Sequence, residues 1–237
     1  MKESVVKDKT IEVKSNEDAL ANLKEDFTYF RDHCIDIRRD FNTYHNLFHP
    51  DNFDLLEKIS GTFFREINSI LIRHWIIGVC NLVDRESTKV KGETCENISI
   101  NLINAQIKKQ FDGDKWRKQI DSITTLTTNI TDYGKNLSPA RNKFIAHSDK
   151  NTYKKGLVLG KTSEKDPDNF IENIQEYCDL VGNLIGVGAL DFRCSSCQGD
   201  VLDFVCFLSD VKEMLLPTNE DDQQILFANL KDKLSQE

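Results

Sequence analysis

Nine apolar residues spaced alternately three and four apart form the longest unbroken pattern in the chain: Leu20, Leu23, Phe27, Phe30, Cys34, Ile37, Phe41, Tyr44 and Phe48. A period of 3.6 residues puts all nine on one side of a single helix. An aromatic-rich seam of that length must be covered by facing helices, and Pro50 stops it. The next helix is expected from about Phe53 to Asp84. Its polar stripe is narrow (Lys58, Arg65, Ser69 and Arg73), so it is expected to lie centrally among several neighbours.

The later segments repeat the helical pattern in shorter lengths. A helix is expected near Ile98–Phe111, between the punctuating Gly92 and Gly113, and another over Ile120, Ile123, Leu126, Ile130 and Tyr133. Gly134 suits a left-handed cap to that helix. Ser138-Pro139 then reads as an N-cap and first helical residue of a new, short helix, with Arg141 in its first turn and His147 near its end. Stripes at Phe170, Ile174, Tyr177/Cys178, Val181 and Leu184/Ile185, and at Val201, Phe204, Leu208, Val211 and Leu215, mark two more helices. Only Leu157-Val158-Leu159 reads as a possible strand. The fold class expected is all-α, a helical bundle with long antiparallel helices. Residues 1–16 are expected to be a flexible polar lead-in, 17–216 the bundle, and 217–237 an acidic tail. That tail carries Glu220-Asp221-Asp222 and a short helix with Leu226, Leu230 and Leu234.

Composition narrows the function classes. The most apolar run, Ile67 to Val83, holds Arg73 and His74 near its centre, which would be costly in lipid, so no membrane span is expected. Seven scattered cysteines, with no secretory leader, suit reduced thiols in a cytoplasm. A net charge of −8 argues against a general nucleic-acid binder, but the charge is uneven. Residues 108–165 hold 13 Lys+Arg and 6 Asp+Glu, a local +7 against −15 for the rest. An anionic substrate would be drawn to that segment.

The same segment contains Arg141-Asn142-Lys143-Phe144-Ile145-Ala146-His147, followed by Ser148-Asp149. Arginine offers a planar fork to a phosphate and keeps its charge as negative charge builds. Histidine moves a proton near neutrality. Such a pair suits RNA cleavage without metal or cofactor: a base takes the ribose 2′-OH proton, the oxygen attacks phosphorus, and an acid protonates the leaving 5′ oxygen. Asn142 would add a donor or orient one of the two. On an ideal helix six residues leave Arg141 and His147 roughly 120° apart with a rise of about 9 Å. Either the helix ends before His147, or two chains each supply a pair across a two-fold axis. Without catalysis, Arg141 would pair with a carboxylate and His147 would sit at a helix C-terminus.

Arg141-Asn142 with His147 after four intervening residues resembles the signature of the HEPN superfamily. The fuller string to Asp149, and the helix Phe63-Phe64 … Leu82-Val83-Asp84, resemble its bacterial abortive-infection branch. The resemblance covers roughly Asn22 to Leu216. It implies a homodimeric, metal-independent ribonuclease acting as a toxin or phage-defence effector on an RNA substrate, with an antitoxin protein as a possible partner. Arg141 and His147 would be the catalytic pair and Asn142 their support. A toxin branch of the superfamily carries a modifiable tyrosine two residues after the histidine; here that position is Asp149, and Tyr153 does not match it. The resemblance equally admits a non-enzymatic module that dimerises or holds a partner.

Other motifs are weaker. Gly156 to Thr162 has one residue too few between its glycines for a phosphate loop. Cys194 and Cys197 have zinc-knuckle spacing, and Cys178 and Cys206 would complete a four-sulfur site only if helix ends converged. His33, His45, His49 and His74 read as packing or surface residues, and Asp84-Arg85 as a solvated helix end that lies near the motif if the bundle brings it there.

Overall fold

The computed structural model describes residues 2–145, 154, 160, 163, 166–191 and 199–215. Among them the architecture is all-α with one small hairpin. The helices are α1 (Lys2–Leu47), α2 (Phe53–Leu82), α3 (Ile100–Gln110), α4 (Arg117–Ala140), α5 (Asp166–Ile185) and α6 (Val201–Leu215). The chain divides into two compact units, Met1–Asp40 with Ile72–Cys194, and Phe41–Leu71 with Ser195–Glu237.

In the first unit the α1 seam behaves as its spacing requires: Leu23, Phe27, Phe30, Cys34 and Ile37 are buried. Ile103 and Ile107 of α3, Ile130 and Leu137 of α4, and Ile174 and Tyr177 of α5 are buried too. Tyr177 is fully enclosed, lies edge-on to Phe30 at 5.5 Å, and donates its hydroxyl to Asn104 Oδ1 at 2.9 Å, so its one polar atom is satisfied. The α4–α5 contact is aromatic, with Tyr133 stacked on Phe170 at 4.6 Å and Trp75 edge-on to Phe170 at 5.7 Å. Cys178 is a core thiol hydrogen-bonded to Cys34, whereas Cys206 is exposed; Cys194 and Cys197 lie outside the described residues.

The second unit has its own cluster: Leu47, Leu55, Leu56, Phe64 and Leu208, with Val201 and Val205 packed against it. A short 3-10 turn at Pro50–Asn52 follows α1, and Asn52 Nδ2 donates to Asn46 O at 2.8 Å across the turn. His49 accepts from the Asp51 amide there, so it caps this turn.

Three expectations are corrected. The first is α2, which is not enclosed all round: Phe63 and Ile70 are more than half exposed, and Ser60 interrupts its helical backbone. The second is the stretch between α2 and α3, which holds a hairpin, β1 (Ser87–Val90) and β2 (Glu93–Glu96), antiparallel with Ser87 opposite Glu96. Lys91 and Gly92 both have positive φ (52° and 92°), as a two-residue hairpin turn demands. Leu157–Leu159 lies outside the described residues.

The third concerns α4, which does not stop at Gly134 or restart at Ser138-Pro139; it runs unbroken to Ala140. Gly134 is a close-approach residue. The Val83 side chain lies where a Cβ would stand, and Gly134 has no positive φ. Pro139 sits inside the helix, two residues before the π turn that begins at Arg141.

One histidine outside the motif carries a pH consequence. Burial lowers the pKa of His33 from 6.5, Asp36 pulls it partly back up, and His74 pushes it down. Asp40 binds His74 Nδ1 at 2.5 Å, and Arg39 pairs with Asp36 at 3.3 Å. Because the folded state resists protonating His33, the unfolded chain takes up that proton first as pH falls. The His33 contribution is neutral above about pH 6.5 and destabilising below it. Replacing His33 by Gln is expected to flatten the melting temperature between about pH 7 and pH 5, measured by thermal circular dichroism. An unchanged profile would refute this role.

Candidate functional site

Pro139 has no N–H to offer the preceding turn. Ser138 bonds back through Oγ to Gly134 O at 3.1 Å, and the Arg141 amide is shared between the carbonyls of Leu137 and Ser138. The next five residues, Arg141–Ile145, widen into a π turn. Such turns relieve strain by slipping the register one residue and are frequent at functional sites. Arg141 therefore closes α4 and opens the π turn; it does not begin a new helix.

Its side chain is held from two directions. Nη1 donates to both Asp84 oxygens, at 2.9 and 3.1 Å, and Nε donates to Asn142 Oδ1 at 3.1 Å. Among the described residues Nη2 makes no hydrogen bond. Asn142 thus accepts from Arg141 and orients it. The ion pair is half-buried, with Arg141 26% and Asp84 40% exposed.

Asp84 is itself positioned. It follows the last turn of α2, where Asn101 at the start of α3 donates to Val83 O at 3.2 Å and Asp84 O at 2.8 Å. Asn97 donates to Arg85 O at 2.8 Å. These two amides satisfy carbonyls that a helix end leaves unpaired. Under the pair lie Val83, Gly134 and Cys80, whose thiol is 3.9 Å from Gly134 O. Burial raises the Cys80 pKa above 9.0, and Arg141 and Ser138 only partly oppose it. The thiol stays protonated at neutral pH and is no nucleophile.

The surroundings are electrostatically two-sided. Between α4 and α5 runs an open groove of about 530 Å³ with Asp132, Asp166, Glu172 and Glu176 on its walls and Tyr133 and Phe170 among its lining residues. Phosphate is repelled from that side. Lys143 is exposed on the π turn, and Lys135 is engaged by Asp132 at 2.9 Å.

Of the three residues expected in the site, the structure brings Arg141 and Asn142 together. His147, like Ser148 and Asp149, lies outside the described residues, as does most of the Gly156–Thr162 stretch. Asp84, read from sequence as a helix end, is the principal partner of Arg141 from 57 residues away. Its only sequence signal is its place at the end of an apolar helix of the kind that packs beside the motif.

The family model HEPN_AbiU2 (AbiU2) matches residues 20–204, most of the chain. No curated protein and no solved structure matches it.

Proposed function

The chain belongs to the HEPN_AbiU2 family, and on that premise we propose that it is a metal-independent endoribonuclease acting as a toxin or abortive-infection effector. The observation that carries this reading is the Arg141 guanidinium, held by Asp84 through Nη1 and by Asn142 through Nε, with no hydrogen bond from Nη2 among the described residues. A preorganised cation of this kind costs no reorganisation when charge builds on phosphorus.

In the proposed reaction His147 exchanges the protons. The 2′-OH loses its proton to a base, the 2′ oxygen bonds to phosphorus, and the bond to the 5′ oxygen breaks as that oxygen gains a proton. Arg141 holds a non-bridging oxygen throughout. Asp84 and Asn142 touch Arg141 and not the substrate, so they are positioning residues. Asp84 also offsets the Arg141 charge in the resting site, so Arg141 acts through the direction of its donors. A homodimer with a pair from each chain at a shared site answers the spacing of Arg141 and His147, which one straight helix points apart. Exposed Phe63 and Ile70 on α2 are apolar surface of the kind a second copy covers. An antitoxin protein is the expected means of restraint.

The test is incubation of purified protein with single-stranded RNA in excess chelator. The expected products end in a 2′,3′-cyclic phosphate and a 5′-hydroxyl. Cleavage only after adding a divalent ion would reject the mechanism. One observation favours a second reading, a non-enzymatic dimerisation or partner-binding module: Arg141 is ion-paired within its own chain, as a structural arginine is. Absence of growth arrest on expression, with no cleavage in vitro, would favour that reading.

A further inference from the structure

We propose that the groove between α3 and α4 binds one unpaired nucleotide of the RNA, an assignment that rests on the ribonuclease reading above. The groove has a volume of about 540 Å³, within the range that encloses small ligands. Its apolar lining is Ile107 from α3, Phe111 just past the end of α3, and Ile120 and Ile123 from α4. Trp116 packs edge-on against Phe111 at 5.2 Å and fixes that ring. A flat aromatic base fits such walls, and stacking on an aromatic ring is how unpaired bases are held.

The lining also has a polar element suited to a base edge. Asn104 Nδ2 donates to Thr127 Oγ1 at 2.9 Å, and its Oδ1 accepts from the Tyr177 hydroxyl. Those two bonds fix the amide, and among the described residues its second N–H makes no hydrogen bond. At the rim, Lys108 and Arg117 are exposed and make no ion pair among the described residues. Asp112, Asp114 and Asp121 share the rim with them. With three carboxylates against two cations the rim cannot hold a run of phosphates, so any phosphate contact is confined to Lys108 and Arg117, one on each side of a single base.

The experiment uses the full-length chain and a fluorescein-labelled, single-stranded 12-mer of 2′-O-methyl RNA, which has no free 2′-OH to attack. Binding is read by anisotropy over a range of salt. Thr124 stands exposed among the lining residues, so Thr124→Trp fills the groove without entering the core. It is expected to weaken binding about tenfold, the loss of one stacked base. The double variant Lys108→Gln/Arg117→Gln is expected to reduce the slope of log K against log salt by about 1.4, two phosphate contacts on a single strand. Thermal melts check that both variants fold. Adenosine 5′-monophosphate is the competitor, expected to displace the labelled RNA far less well than unlabelled 12-mer; equal displacement would make the groove a free-nucleotide site and overturn the proposal. Wild-type protein that cuts unmodified RNA, with both variants binding at wild-type affinity and slope, removes this site alone. Wild-type protein that neither cuts nor binds RNA removes the ribonuclease reading with it.

Discussion

Replacing Arg141 by Ala is expected to lower the rate of RNA cleavage by a factor of about 10²–10³, the usual loss when one preorganised charge donor is removed from a reacting oxyanion. His147→Ala is expected to abolish cleavage, because no other group in the motif exchanges a proton near neutrality. Both variants should melt near the wild-type temperature. The Arg141–Asp84 pair is half exposed, and such pairs contribute about 1 kcal/mol or less. The informative intermediate is Arg141→Lys. It keeps the charge but loses the planar fork, so three donors on a single nitrogen cannot reach Asp84, Asn142 and phosphate in their separate directions. A rate close to that of Arg141→Ala indicates that geometry matters more than charge. Wild-type cleavage by His147→Ala would remove His147 from the mechanism, and a large drop in melting temperature for Arg141→Ala would favour the structural reading of the pair.

Much of the fold was legible because burial imposes a period. The alternating spacing from Leu23 to Ile37 can be satisfied only by a helix with one enclosed side, and those side chains are enclosed. The hairpin at residues 87–96 was invisible for the opposite reason. Seven of its eight strand residues are exposed, so no apolar alternation is imposed on them. The site was half legible. Arg141-Asn142 announces itself as a local string. The Asp84 partnership depends on the docking of α2 against α4 and on two asparagines that close the end of α2, and no local pattern encodes that. Punctuation was the misleading signal. Gly134 and Ser138-Pro139 follow the usual grammar of a helix stop and start, yet tertiary packing overrode it and moved the break to the π turn beyond Ala140.

The two readings of Gly134 are separable by a measured coupling energy. Gly-to-Ala in a helix interior ordinarily stabilises by about 1 kcal/mol. Here the added methyl would run into the Val83 side chain, with Val83 Cγ1 and Cβ at 3.1 and 3.3 Å as well, so the sign is expected to reverse. Overpacking of this kind costs about 1–3 kcal/mol, or a fall of roughly 2–12 °C in melting temperature for a chain of this size. A left-handed cap would also be harmed by alanine, but its penalty would be indifferent to residue 83. Packing makes the penalty depend on Val83. In the cycle of Gly134→Ala, Val83→Ala and the double variant, the double variant is expected to be more stable than the sum of the singles requires, by about 1 kcal/mol or more. Strict additivity would reject the close-approach account. The same displacement should be felt at the site, because Val83 precedes Asp84 and its carbonyl is held by Asn101. Gly134→Ala is therefore expected to slow cleavage at temperatures where the protein remains folded, and Val83→Ala to restore part of the rate.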